Sequence, residues 1–63
     1  MVAVDTLEYE NCSLEEVLKR LDWDLGKYQR EGDEIISIDH DKVYANGIWY
    51  VTAIVLYKEA SDE

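Results

Sequence analysis

The amino-acid sequence predicts an α+β fold of order β-α-β-β, in which one helix packs on one face of a three-stranded, antiparallel-containing sheet. Three observations predict it: an alternating segment near the start, a capped amphipathic stretch after it, and an Asn-Gly dipeptide between two apolar segments. At 63 residues the chain has room for one domain, so 1–63 is predicted as a single domain with a frayed tail over 59–63.

The first strand and the helix are predicted from residue spacing. Between Val2 and Tyr9 the side chains alternate between two faces, which is the period of a strand. Ser13 then opens a capping box with Glu16, and two acids in the first turn suit the helix dipole. The helix is expected to end near Arg30, and the sequence leaves open whether Gly26 breaks it. Apolar residues at helical spacing form one stripe: Leu14, Val17, Leu18, Leu21, Leu25 and Tyr28.

Two further strands, 34–45 and 48–58, are predicted on either side of Asn46-Gly47. A type I′ turn at this dipeptide sets the register of the hairpin and therefore its two faces. One face is expected to carry Ile36, Ile38, His40, Lys42, Tyr44, Trp49, Val51, Ala53, Val55 and Tyr57. The other is expected to carry Ile35, Ser37, Asp39, Asp41, Val43, Ile48, Tyr50, Thr52, Ile54 and Leu56.

The last strand is apolar on both sides, which is typical of a strand covered on both faces. One helix covers one face, and the face with Val51, Ala53 and Val55 matches the helix stripe better. The apolar residues of the other face have no cover from this chain, which predicts a self-association surface and a homodimer. The alternative is ordinary exposure of scattered aliphatic side chains. The predicted self-association residues are Ile35, Ile48, Tyr50, Ile54 and Leu56.

The net charge of the chain limits the kinds of molecule that it is expected to bind. Fifteen acidic residues against six basic ones give a formal net charge of −9. A field of this sign repels nucleic acid and anionic membranes and attracts basic protein surfaces. The start of the sequence has no basic segment followed by a long apolar run, and no stretch approaches the roughly 20 apolar residues of a membrane span. A cytoplasmic protein that binds a basic protein, and neither nucleic acid nor membrane, is therefore predicted.

Trp23 is the candidate anchor for such a partner. It lies off the apolar stripe of the helix, and exposed tryptophans are enriched in binding hot spots. Neighbouring acids complete the predicted partner-binding set: Asp22, Asp24, Glu15 and Glu16. Two alternatives stay open at this point. Trp23 folds into the core if Gly26 breaks the helix, and the carboxylates mimic DNA if their spacing matches that of phosphates.

No group of residues predicts catalysis, a metal ion or a cofactor. Cys12 is the only cysteine and His40 the only histidine, whereas structural zinc takes four ligands, mostly of these two types. Asp39 and Asp41 flank His40 in a strand and therefore point to the opposite face. No catalytic, metal-binding or cofactor-binding residue is predicted, and the chain is expected not to be an enzyme.

Three segments carry a resemblance to a known family: Ser13-Leu14-Glu15-Glu16-Val17-Leu18, Asp22-Trp23 and Gly32-Asp33-Glu34-Ile35-Ile36-Ser37-Ile38. They resemble the helix-to-strand region of the small RNA polymerase inhibitors of T7-like phages, which are acidic proteins of similar size and β-α-β-β outline. Where that family carries arginines, this chain has Ser37 and Asp39. The resemblance implies a phage-encoded inhibitor that acts through its surface.

These observations favour a non-enzymatic acidic protein-binding module, a phage-derived inhibitor or modulator of a basic or nucleic-acid-binding host protein. Its acids would steer the encounter with the partner. The alternative is a homo-oligomer that binds a small molecule between its subunits, using an aromatic side chain of the hairpin: Trp49, Tyr44, Tyr50 or Tyr57.

Overall fold

The computed structural model describes residues 1–60, which form three strands and one helix in the predicted order. The sheet is antiparallel throughout, and β3 lies at its centre between β1 and β2. The predicted α+β fold is confirmed. The elements are β1 (Val2–Asn11), α1 (Leu14–Arg30), β2 (Glu34–Ala45) and β3 (Ile48–Lys58).

The bounds of α1 are set by its caps. The Ser13 hydroxyl accepts from the Glu16 backbone N–H at 3.4 Å, as the capping box predicts. The helix continues through Gly26 without a break. Beyond its end, Gly32 adopts φ 81°, which lets the backbone N–H groups of Gly32 and Asp33 donate to the carbonyls of Gln29 and Tyr28.

The hairpin of β2 and β3 closes at Asn46-Gly47, where both residues have positive φ, 52° and 77°. Ala45 pairs with Ile48, so the register predicted from the turn is confirmed next to it. From Ser37 to Ala45 the two strands also show the predicted faces.

The position of Ile35 is a correction to the predicted faces. A register shift between Ile35 and Ser37 places Ile35 opposite Tyr57 while Ser37 is opposite Leu56, so the intervening Ile36 is an extra residue. Tyr57 lies on the helix side of the sheet, and the bulge therefore moves Ile35 to that side. Ile36, predicted to face the helix, is 49% exposed.

The core lies between α1 and the sheet. Val51, Ala53 and Val55 of β3 and Val17 and Tyr28 of α1 are its buried apolar residues. The helix lies mainly over β1, so the helix side of the edge strand β2 is only partly covered. No helix among residues 1–60 combines the length and the apolarity of a membrane span.

Two hydrogen bonds hold α1 on β1, one donated by the helix and one by the strand. The Tyr28 hydroxyl of the helix donates to Asp5 Oδ2 of the strand at 2.6 Å, and the Tyr9 hydroxyl of the strand donates to Asp24 Oδ2 of the helix at 2.5 Å. Burial, and then the hydrogen bond to a carboxylate, raises the pKa of both tyrosines well above the ordinary value. The Tyr28 ring also packs against Tyr57, with 4.8 Å between centroids.

The backbone N–H groups of the first two residues of the predicted tail both donate hydrogen bonds. Glu59 N–H donates to the Met1 carbonyl and Ala60 N–H donates to Asp33 Oδ1, each at 2.9 Å. The remainder of that segment, 61–63, lies outside the described residues.

Candidate functional site

The face of the sheet opposite α1, here called the open face, carries exposed apolar side chains from all three strands. Val4 is 60% exposed, Val43 55%, Ile54 45% and Tyr50 41%. Because α1 is the only helix among residues 1–60 and lies on the other face, the described part of the chain leaves this side uncovered. Four of the five predicted self-association residues lie here: Ile48, Tyr50, Ile54 and Leu56.

The apolar side chains of β3 form a row along the middle of the open face. They are alternate residues of one strand, so the row from Ile48 to Leu56 is about 27 Å long at roughly 3.4 Å per residue. The two flanking strands run alongside at about 4.8 Å on either side. Ile48 and Leu56 at its ends are half-buried, and Thr52 is the one polar member.

Carboxylates flank this row on both sides. On β1, Glu8 lies opposite Thr52 and Glu10 opposite Tyr50. On β2, Asp39 lies opposite Ile54 and Asp41 opposite Thr52. These four acids are exposed. The pairing of β1 with β3, which joins distant parts of the chain, brings the two glutamates to the site.

The only basic residue of the open face, within residues 1–60, is Lys58 at one end of the sheet, opposite Val2 and Glu34. The middle of the face therefore combines apolar surface with negative charge and no compensating cation. Two copies brought together face to face would place these carboxylates against each other, which is unfavourable. Self-association through this face stays a prediction, and Ile35 is not part of the face.

Trp23 is on the solvent side of α1 and 69% exposed, so it does not fold into the core, and its role as an anchor for a partner stays a prediction. The Arg30 guanidinium lies over its ring, 4.9 Å from the centroid. Gly26 lies between them on the helix surface, and a Cβ there would be 3.1 Å from Arg30 Nη1. The glycine thus leaves room for the arginine to reach the tryptophan, a contact that the sequence analysis did not identify.

Three of the four acids predicted to act with Trp23 line hollows that it also lines: Asp22 lines one, and Glu16 and Asp24 line another. Asp24 is half-buried and accepts the hydrogen bond of Tyr9, so it serves the packing of α1 on β1. Glu15 and Glu16 are within 3.9 and 3.8 Å of Lys19, and about 12 Å along the helix axis separates Glu15 from Trp23. Asp22 is exposed beside Trp23, in a groove of about 700 Å³ that is also lined by Arg30, Asp33, Glu34 and Ile35.

The aromatic side chains proposed for a ligand between subunits do not share one face. Tyr44 and Trp49 pack together on the helix side, with 4.8 Å between ring centroids, and Tyr57 is on that side as well. Tyr50 lies on the open face. A ligand site on the helix side would therefore use Tyr44, Trp49 or Tyr57, and one on the open face would use Tyr50.

The remaining polar candidates are dispersed. Cys12 is exposed, and His40 Nδ1 is 3.3 Å from Lys42 Nζ on the helix side of β2, whereas Asp39 and Asp41 lie on the open face. In the described part of the chain, no three His, Cys, Asp or Glu side chains are placed to hold a metal ion.

Comparisons with protein-family models, with curated proteins and with solved structures find no match to this chain. The open face therefore has to be interpreted from its own chemistry.

Proposed function

We propose that this chain is a non-enzymatic acidic protein-binding module that binds a basic protein through the open face of its sheet. The observation that supports it is the placement of four carboxylates, Glu8, Glu10, Asp39 and Asp41, on both flanks of an exposed apolar row. This is the usual composition of an interface, with an apolar centre and a polar rim.

The two parts of the surface contribute differently to binding. Burial of the apolar row removes hydrocarbon surface from water, which favours the complex by about 25 cal/mol per Å². The exposed carboxylates act over longer distances, raise the association rate of a basic partner and select against acidic ones. Their contribution decreases with salt, because exposed charges are screened.

A nucleic-acid-binding protein is the class of partner that fits best. Such proteins present clusters of Lys and Arg that contact phosphates. A chain with net charge −9 that covers such a cluster would compete with nucleic acid for it. The module would then inhibit or modulate its partner without any chemistry of its own.

Affinity capture with charge-matched variants tests the proposal. Asp39→Asn/Asp41→Asn removes two negative charges from the open face, and Glu15→Gln/Glu16→Gln removes the same number from the helix. We expect the wild-type chain and the helix variant to retain a basic protein at low salt, the open-face variant to retain much less of it, and all three to retain less at high salt, where the carboxylates are screened. Capture of no basic protein, or an equal loss with both variants, would overturn the proposal.

A further inference from the structure

We infer that the occupant of the open face is an amphipathic α-helix of the partner, with an apolar stripe bordered on both sides by Lys or Arg. This inference rests on the proposed function and specifies the structure that the basic partner presents. It follows from the dimensions of the apolar row and from the position of the acids on each side of it.

The width of the apolar surface excludes a second sheet as the occupant. Sheets that pack face to face bury apolar residues across several strands. Level with Thr52 and Ile54, in the middle of the open face, β1 and β2 contribute only polar side chains, whereas the exposed Val4 and Val43 lie towards the two ends, opposite Leu56 and Tyr50. A helix is about 10 Å across and would cover β3 and part of each neighbouring strand.

The length of the row also fits a helix. About 27 Å of strand surface corresponds to about 18 helical residues at 1.5 Å per residue. The helix that covers the opposite face of the sheet is of similar length, since α1 has 17 residues. Lys and Arg at the edges of the docked stripe could extend their long side chains past the apolar contact to the carboxylates on β1 and on β2.

A second copy of this chain does not provide such a helix. The apolar stripe of α1 packs on its own sheet, where Val17 and Tyr28 are buried. The first turn of α1 carries Glu15 and Glu16, which would add negative charge to an acidic face. The open face of another copy carries the same four carboxylates. Charge therefore favours a different, basic chain as the occupant.

A synthetic peptide of about 18 residues, with leucines at helical spacing and lysines on both borders of that stripe, is the direct probe. One control peptide has the same composition in scrambled order, and a second has glutamate in place of lysine. Binding is followed by fluorescence anisotropy of labelled peptide and by amide chemical shifts of the protein. We expect the striped lysine peptide to bind and to shift β3 residues and their neighbours in β1 and β2, with the scrambled peptide weaker by about tenfold.

Matched variants locate the contact. Ile54→Asn changes a residue that is 45% exposed on the open face, and Ile38→Asn changes one that is 36% exposed on the helix side. We expect Ile54→Asn to lower the affinity for the striped peptide by about tenfold and Ile38→Asn to leave it nearly unchanged. Amide spectra of both variants show whether the fold is retained, and Tyr50→Ser replaces Ile54→Asn if it is not.

Several outcomes would overturn the inference. Equal affinity for the striped and scrambled lysine peptides would show attraction by charge alone, and shifts centred on Trp23 would place the contact on α1. Concentration-dependent dimerisation that Ile54→Asn abolishes would show a second copy as the occupant. If a captured basic protein is not displaced by the striped peptide, the inference fails while the proposed function stands; if no basic protein is captured either, both fail.

Discussion

Substitution of Tyr28 by Phe isolates one of the two hydrogen bonds that hold α1 on β1. The substitution keeps the buried ring and its contact with Tyr57 and removes only the hydroxyl that donates to Asp5 Oδ2 at 2.6 Å. Tyr28 is 7% exposed, so the substitution is made in the core. The ring stays packed there, and water does not take its place.

The expected cost can be worked out from this geometry. A hydrogen bond to a charged group contributes about 1.5–3 kcal/mol, and Asp5 is only half-buried, so water can resolvate its carboxylate and the lower part of that range applies. For a chain of 63 residues the unfolding entropy near 60 °C is about 0.13 kcal/mol/K, so a loss of about 2 kcal/mol lowers Tm by about 15 °C. Since a domain of this length has a total stability of about 3–9 kcal/mol, the effect is large.

Thermal unfolding followed by circular dichroism measures the loss, and Tyr44→Phe is the matched control. Tyr44 is 59% exposed, so removal of its hydroxyl leaves no buried group without a partner. We expect the control to change Tm by a few degrees at most. If Tyr28→Phe and Tyr44→Phe have the same Tm, the hydrogen bond to Asp5 does not stabilise the helix on the sheet and the reasoning is refuted.

Two further predictions concern pH and Gly26. The pKa values of Tyr9 and Tyr28 are raised on folding, so the folded chain keeps protons that the unfolded chain loses above about pH 10. The free energy of unfolding should therefore be level below that pH and decrease above it. For Tyr28 the decrease is about 1.4 kcal/mol per pH unit. Urea unfolding between pH 8 and 11 measures this, and a free energy of unfolding that stays constant to pH 11 would contradict it. Gly26→Ala should stabilise α1 by about 1 kcal/mol in an Arg30→Ala background and by less in the wild-type chain, where the new Cβ displaces the guanidinium 3.1 Å away. Urea unfolding of the wild-type chain, the two single variants and the double variant, together with Trp23 fluorescence, measures the coupling, which is refuted if the gain is identical in both backgrounds.

The bounds of α1 and of the two hairpin strands were predictable because local chemistry sets them, whereas β1 continues to Asn11, two residues beyond the predicted Tyr9. Ser13 caps α1, Asn46-Gly47 closes the hairpin, and the register next to that turn follows from its two residues. The off-stripe position of Trp23 follows from helical geometry in the same way. Its exposure could not be settled from sequence, because that required α1 to continue through Gly26.

The predicted face of Ile35 was wrong because the bulge adds one residue to β2 without a clear signal in the sequence. Ile35 and Ile36 are both apolar, so either can face the helix, and the alternation of the strand is ambiguous where it shifts. The one signal in the sequence is the pair of adjacent isoleucines between Glu34 and Ser37, which interrupts the period of two.

The acidic flank on β1 was not predicted for a different reason. Alternation places Glu8 and Glu10 on one side of their strand, but it does not say which strand they will lie beside. Pairing of Val2 with Lys58 sets that position, and it joins the two ends of the described chain. A tertiary pairing of this kind has no local signature, so the composition of the open face becomes visible only in the folded structure.

The central position of β3 also bears on the order of events during folding. The strand that both others pair with is the last of the four elements to be synthesised. Until it is available, β1 and α1 have no sheet to join, and the apolar side chains that will meet Val51, Ala53 and Val55 stay in contact with water. We therefore expect a ribosome-bound chain that stops before β3 to be unfolded rather than half-formed. Once β3 is available, the local β2–β3 hairpin is expected to form before the distant β1 is added.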